Sequence, residues 1–520
     1  MDGAIALFNP RKAARNDVYR KLRDSDAWSR SLKNLSGAAS GYFRGNRHGR
    51  SLGGWQTRTT TANEDLSYSL QDLREDSNDL VLNNAIAVGA IDTYCTNVVG
   101  PGLRLNAAID HEYLGLTIDQ AEAWQENAER EFKLFTKTCD LTRTRSFAEI
   151  TGLALRSTLV NGDVFCNLPM IERQGIVYQT CLNMIEGQRV QSPMGKPDNE
   201  NMILGVELDS NGCPEKYHYV KSASDSRKMD FGSLNAFDSN GNPLVLHIFQ
   251  KKRVNQNRGV PILAPIIELV KKLDTYSQAE VDAAVIQAFF TVFIKKKDVE
   301  SDEDPIDTVT RMGGETGATG NEDDVSMGSG TIVELLDDEE GIETADPSRP
   351  NANFTEFFKA IVSEIAVGLN LPYEVLMKQF QSSYSASKGA IIEATKVFDQ
   401  LEFFLVEKFC QPVYEAFLLE AIATGRISAP GFFTDPLRRQ AWSGAEWIGP
   451  GQNELDPTKA VKAAKERIEL GISNHLIETS RTSRTYTDVA RGTARAKAIR
   501  DKFNINEAEE LDPPAPAPGE

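Results

Sequence analysis

The sequence has few of the residues from which enzymes build reactive centres. Its 520 residues include five histidines and six cysteines. His48, His111, His218, His247 and His475 stand far apart, which suits surface or hydrogen-bonded roles better than a metal site. Cys95, Cys139, Cys166, Cys181, Cys213 and Cys410 show no Cys-x-x-Cys pair. A zinc or redox site of that spacing is excluded, and the cysteines read as reduced thiols of a cytosolic protein. No Gly-x-x-x-x-Gly-Lys-Ser/Thr occurs, so there is no phosphate loop of an ATPase. His-Glu-x-x-His and Gly-x-Ser-x-Gly are also missing. The glycine-rich stretch 313–320 follows no strand, precedes no lysine and is surrounded by acids, so it reads as a loop rather than a phosphate cradle. Asp302, Glu303 and Asp304 are consecutive and lack the alternation of a calcium loop. The serine-rich stretch 381–387 has no indicated base beside it. No catalytic residue, cofactor or metal is therefore assigned. Long apolar runs are absent too. The charge-free run 283–294 falls well short of the roughly 20 residues that cross a bilayer. The charged N-terminal stretch, broken by Pro10, does not read as a signal peptide.

Acidic charge is what the chain has in excess. There are 75 Asp and Glu against 57 Lys and Arg, a formal net charge of −18. The distribution is uneven. Residues 1–60 hold 12 basic and 4 acidic residues, with Gly and Ser clusters and no sustained periodicity. Residues 298–346 hold one Arg and 17 acids. That segment reads either as a solvated loop or as a docking surface for a basic partner, and the two readings are compatible. An acidic chain is a poor static binder of DNA, whereas a conduit benefits from weak contacts, because each lysine–phosphate contact releases counterions and resists sliding.

Hydrophobic periodicity supplies the elements. A helix is expected over 70–98. Thr117 and Gln120 form a capping box, as do Ser146 and Glu149, each opening a helix. Short strands are expected over 164–168, 177–184, 202–208 and 217–220, with Asn211-Gly212 and Asn240-Gly241 as turns. From Pro265 an apolar pattern through Val281, Val285, Phe289 and Phe293 marks a helix of about 30 residues, roughly 45 Å long. Asn353 and Glu356 cap a second, bearing Phe357, Ile361 and Ile365, which Pro372 blocks. A third begins at a Ser385 cap and runs to about Gln411, interrupted by Pro412. Helices are also expected over 457–471 and 487–503, before a disordered tail. The fold class is α+β and predominantly helical.

Particular stretches are similar to a known family. Gly368-Leu369-Asn370-Leu371-Pro372-Tyr373-Glu374-Val375-Leu376 precedes Tyr384-Ser385-Ala386-Ser387-Lys388. Val99-Gly100-Pro101-Gly102-Leu103, Gly205-Val206-Glu207 with Asn211-Gly212, Gln256-Asn257-Arg258-Gly259-Val260-Pro261, Trp447-Ile448-Gly449-Pro450-Gly451 and Asp456-Pro457-Thr458-Lys459 complete the series. In this order they resemble the portal proteins of lambda-like tailed bacteriophages. The family usually has Tyr-Ser-Ser-Ala-Arg where this chain has Tyr384-Ser385-Ala386-Ser387-Lys388.

The resemblance implies a dodecameric ring at one capsid vertex, present in the virion and assembled in the host cytoplasm. The implied parts are a basic segment (1–60), an α+β wing (61–262), stem helices (263–296 and 353–375), an acidic clip (297–352), a channel loop (376–385), a long-helix region of the wing (386–450), a crown (451–505) and a tail (506–520). Lys378, Gln379, Gln381, Ser382, Ser383, Tyr384 and Lys388 would line the channel. Asp337, Asp338, Glu339 and Glu340 would dock partners in the clip. Val285, Phe289, Phe293, Phe357, Ile361 and Ile365 would join subunits through the stem. Implied partners are the terminase large subunit, head-completion or adaptor proteins, the major capsid protein or scaffold, and double-stranded DNA passing through without sequence readout. No membrane is implied, and ATP hydrolysis would belong to the terminase. The alternatives are a DNA-processing enzyme of the packaging machinery, and a minor capsid or scaffold protein without a channel.

Overall fold

A computed structural model describes residues 60–193, 198–199, 201–222, 230–288, 292–295, 341–344, 354–380, 383–451 and 457–503. The chain divides into two compact units, Met1–Thr61 and Ala62–Glu520, and the architecture below is that of the second.

The first expected helix is two. α1 (Ala62–Asn83) and α2 (Ala85–Val98) are divided at Asn84, whose extended backbone lets its side chain accept from the N–H groups of Ile86 and Ala87 at 3.0 and 3.1 Å. A side chain that caps its own backbone competes with helix continuation, so Asn84 starts a new helix in a new direction. β1 (Arg104–Ala107), the short α3 (His111–Leu114), α4 (Ile118–Phe135) and α5 (Phe147–Asn161) follow. Both capping boxes read from the sequence are present, at Thr117 with Gln120 and at Ser146 with Glu149.

The seven strands between α5 and α6 build two antiparallel sheets. β2 (Asp163–Asn167) lies between β3 (Asn183–Glu186) and β8 (Val245–Phe249). β4 (Met202–Ile203), β5 (Val206–Leu208), β6 (Pro214–Ser222) and β7 (Asp230–Asn235) form the other, in sequence order. The strand expected over 177–184 is confined to its end; before it, Met170 and Thr180 make an isolated bridge. The Asn-Gly turns are present and closed alike. Asp209 accepts from the N–H groups of Asn211 and Cys213, and Asp238 from those of Asn240 and Asn242, each at 2.8 Å. Along β2, alternation sends Val164 and Cys166 into the main core and Phe165 into a smaller one with Ile185, Val190, Val206 and Tyr217.

α6 (Ile267–Ala288) is the first long apolar helix and is shorter than expected. The run does not continue as helix: β9 (Val292–Lys295) pairs antiparallel with β10 (Gly341–Thr344), Phe293 opposite Glu343. Val-Phe-Ile is β-branched and aromatic, and a short apolar run of that kind satisfies strand and helix periodicity alike. α7 (Phe354–Gly368) leads through a left-handed Asn370 (φ +57) to α8 (Tyr373–Met377).

α9 (Tyr384–Leu405) is capped by Ser383, not Ser385: the Ser383 hydroxyl accepts from the Ala386 N–H at 3.4 Å. Nor does Pro412 interrupt it. A π-turn, Val406–Cys410, joins α9 directly to α10 (Gln411–Ala423), with Pro412 in the first turn of α10. There its missing N–H costs little. α11 (Pro436–Trp442) and β11 (Ala445–Ile448) follow, and β11 pairs with β1. The two Gly-Pro-Gly turns meet here, since a Cβ on Gly100 would lie 3.1 Å from the Pro450 ring. α12 (Pro457–Glu469), α13 (His475–Ser480) and α14 (Tyr486–Phe503) complete the described chain and bury no residue of their own. Arg467 clamps Glu478 at 2.7 and 2.9 Å, joining α12 to α13. The main core gathers α2, α4, α5, α9 and α10, so the helical mass rests on one face of the β2 sheet.

Candidate functional site

The expected site residues fall into three groups. In the first, α6 and α7 lie side by side, joined by Tyr276, whose ring centroid is 5.6 Å from that of Phe354 and 5.1 Å from that of Phe357. Val281, Val285 and Phe357 are 57, 49 and 49 % exposed, apolar side chains left uncovered on the single chain. Ile361 is half-buried. Ile365 is fully buried in the chain's own core, so it cannot belong to an outward surface. Phe289 lies outside the described residues, and Phe293 sits on β9, not on the helix. Asp337, Asp338, Glu339 and Glu340 form the second group and lie outside the described residues, just before β10.

The third group is the channel loop. Lys378 ends α8 in the left-handed conformation, φ +55, its N–H bonded to the Glu374 carbonyl. Gln379 also donates to that carbonyl, at 3.1 Å. Gln381 and Ser382 lie outside the described residues, and Ser383 caps α9. Lys378, Gln379, Tyr384 and Lys388 are all exposed. Phe380, not among the expected residues, is 50 % exposed between them.

The most constructed polar centre was not foreseen. The Asp163 side chain is fully buried on β2. It accepts from Arg74 Nη2 at 2.6 Å, from Arg258 Nε at 2.7 Å and from the Gly259 N–H at 3.0 Å. Arg258 also donates to the carbonyls of Val190, Leu204 and Gly187, at 2.8, 2.5 and 2.5 Å, and stacks over Phe165. Arg74 donates to the carbonyls of Asn161 and Gly187. Two guanidiniums thus share one carboxylate, and main-chain oxygens take up the remaining positive charge. Burial works to raise the Asp163 carboxyl, but the Arg258 and Arg74 charges outweigh it and hold the group well below the ordinary range. Gly162 and Gly259 are required here. A Cβ on Gly259 would lie 1.9 Å from the Gly162 carbonyl oxygen. Only Arg258 and Gly259 could be noticed in the sequence, as part of Gln256–Pro261, and nothing local links them to Asp163.

His247 stacks between Phe165 and Phe249 with Nε2 3.4 Å from Asp163. Burial pushes it down to about 4, against the pull of Asp163 and with help from both arginines. The unfolded chain therefore binds a proton that the folded one refuses between about 6.5 and 4. Taken alone, this group makes stability fall as pH drops through that window, by about 3 kcal/mol. Glu402 works oppositely. Burial, then the neighbouring Asp399, raises its carboxyl to about 7, so its contribution is full below about 4.5 and is lost as pH rises through 7. The two slopes oppose each other between about 4.5 and 6.5, so replacing His247 with Phe is expected to expose the Glu402 slope, a stability in urea titrations that falls as pH rises from about 4.5 to 7. A pH profile unchanged from wild type would mean that His247 carries no such slope.

Beside this centre is a cavity of about 220 Å³, lined among others by Tyr94, Val260, Pro265, Gly368, Asn370 and Phe404. No cluster of three or more metal-ligating side chains occurs among the described residues, and no described helix is long and apolar enough to cross a membrane.

Comparison with known proteins gives the family. The profile of the phage portal protein, lambda family, matches residues 48–401. The chain belongs to that family. It is 24 % identical over 504 residues to portal protein B of Escherichia phage lambda, covering 93 % of this chain and 92 % of the relative. It is also 24 % identical over 506 residues to the portal protein of Escherichia phage N15, covering 93 % of each. Among solved structures, a chain from the neck of an empty GTA particle computed with C6 symmetry aligns at a TM-score of 0.43 and 13 % identity, over 71 % of this chain and 94 % of that one. A chain from the neck of a native GTA particle computed with C12 symmetry aligns at 0.41 and 12 %, over 78 and 92 %. The matched segment contains α6 to α8, residues 376–385 and the Asp163 centre.

Proposed function

We propose that this portal protein is the subunit of a ring, by family likeness a dodecamer, at one vertex of a phage capsid and within the mature virion. The ring is the conduit for double-stranded DNA during packaging and ejection. Residues 61–262 and 386–450 serve as the wing, α6 and α7 as the stem, the acidic segment around β9 and β10 as the clip, residues 376–385 as the channel loop and α12–α14 as the crown. The clip docks the terminase large subunit and afterwards a head-completion or adaptor protein, while the wing faces the major capsid protein or scaffold. The subunit itself neither hydrolyses ATP nor cuts DNA.

The observation that carries this reading is the exposure of Val281, Val285 and Phe357 on paired helices in a portal-family chain. Apolar side chains left in water forgo burial free energy and call for a neighbour. Imaging the purified full-length protein by electron microscopy tests it. Rings with a central hole are expected, and uniformly monomeric particles at micromolar concentration would overturn it.

Charge argues for clip docking. The segment 298–346 carries 17 acids and one Arg, and a ring repeats it around the axis. Opposite charge speeds encounter and is screened over about 10 Å at 0.1 M salt. Changing Asp337, Asp338, Glu339 and Glu340 to Asn or Gln is expected to weaken terminase binding, most at low salt. Equal affinity across a salt series would leave the acids a solubilising role only.

A further inference from the structure

The chain is acidic as a whole, yet its last helices are basic. Residues 457–503 hold 11 Lys and Arg against 5 Asp and Glu. α14 carries five of those cations, Arg491, Arg495, Lys497, Arg500 and Lys502, and buries none of its residues. Arg491, Arg495 and Lys502 stand at i, i+4 and i+11, which is one face of a helix, over roughly 16 Å of its length. The residues between them include Gly492, Ala494, Ala496 and Ala498, and a Cβ on Gly492 would meet nothing within 4 Å. A rod-shaped ligand can therefore lie along the helix without meeting bulky side chains. We propose that this face of α14 docks the phosphate backbone of double-stranded DNA outside the channel. The inference rests on the reading of a DNA conduit for its choice of polyanion.

The cations need a counter-charge that the subunit supplies only in part. Arg491 and Arg495, one turn apart, repel each other. Arg491 pairs with Glu126 on α4, and both side chains are about half exposed. Among the described residues, no ion pair engages Arg484, Arg495, Lys497 or Lys502. α4 sets out its acids at helical spacing, with Asp119, Glu122 and Glu126 exposed and Glu129 half-buried. It thus offers α14 a short anionic stripe, and an exposed pair such as Arg491 with Glu126 is weak. DNA offers a continuous row of phosphates, and each contact releases a counterion. DNA therefore displaces Glu126 from Arg491 and extends along the face to Arg495 and Lys502. α14 contains no Asn or Gln, the side chains that read adenine, so binding follows the backbone and not the base sequence.

Binding of the full-length protein to covalently closed circular DNA tests this. A closed circle cannot thread a ring, so it reads outer surfaces and not the channel loop. Changing Arg491, Arg495 and Lys502 together to Gln, a good helix former, removes three phosphate contacts. Each contact adds about 0.9 to the slope of log affinity against log salt. Wild type is therefore expected to lose roughly 40-fold more affinity than this variant between 50 and 200 mM salt. Glu126→Gln is expected to tighten binding severalfold at 50 mM salt, while Asp230→Asn on β7 stays within twofold of wild type. Circular dichroism confirms that each variant is folded. Equal salt slopes for wild type and the triple variant, or equal effects of Glu126→Gln and Asp230→Asn, would overturn the proposal. So would polyglutamate that competes as well as DNA at equal charge, which would assign the face to an acidic protein. Electron microscopy reads the rings separately, so absent rings and absent DNA docking are distinct results.

Discussion

Replacing Asp163 with alanine is expected to cost roughly 3–5 kcal/mol of stability, the range for stripping one partner from a buried charge pair. Arg74 and Arg258 would face each other without a carboxylate, their side chains only 5 and 1 % exposed. A fold of this kind typically has about 5–15 kcal/mol in reserve, so a substantial part of it would be lost. Urea denaturation reads this as a lower midpoint. Asp163→Asn keeps the shape and removes the charge, and it is expected to fall between wild type and alanine. A loss below about 1 kcal/mol for Asp163→Ala would mean that water reaches the arginines and that the centre is not sealed.

The second large effect concerns assembly. Val285→Asp and Phe357→Asp each place a charge where the single chain leaves an apolar side chain exposed. Each forgoes roughly 1.5–3 kcal/mol of apolar burial per subunit and adds the desolvation of a carboxylate, and a ring repeats that loss at every interface. Folded monomers are expected, measured by light scattering with circular dichroism to confirm the fold. Ile365→Asp is the contrast: it enters the subunit's own core and is expected to unfold the chain. Intact rings from both variants would remove these helices from the subunit interface.

What the sequence made legible was local. The capping boxes at Thr117 and Ser146 and the Asn211-Gly212 and Asn240-Gly241 turns each depend on residues a few positions apart, and all are present. Errors arose where two local readings compete. Ser383 and Ser385 are both good caps, and only backbone geometry chooses between them. Val292–Lys295 fits either periodicity until a partner strand pairs with it. At Pro412 the expectation of a break ignored that a π-turn can absorb the missing donor. The Asp163 centre lay beyond any local rule, because Arg74, Asp163, His247 and Arg258 are brought together by the packing of α1, β2, β8 and the segment before α6. Of the candidate site, the uncovered faces of Val285 and Phe357 were readable from periodicity, whereas the burial of Ile365 required the neighbouring helices.

The pairing of β1 with β11 constrains how the chain is made. Asn106 donates to Glu446, 340 residues further on, and residues as distant as Leu80 and Trp442 share one core. Contacts of such long range form late and slowly, because an extended loop must close before they are rewarded. A nascent chain on the ribosome can form α1 to α5 early, but it cannot finish that core until α10, α11 and β11 have left the exit tunnel. α6 and α7 emerge before this closure, with Val281, Val285 and Phe357 already exposed to neighbouring nascent chains. Synthesis rate and chaperone supply, rather than final stability, then become the factors that set the yield of correctly closed subunits.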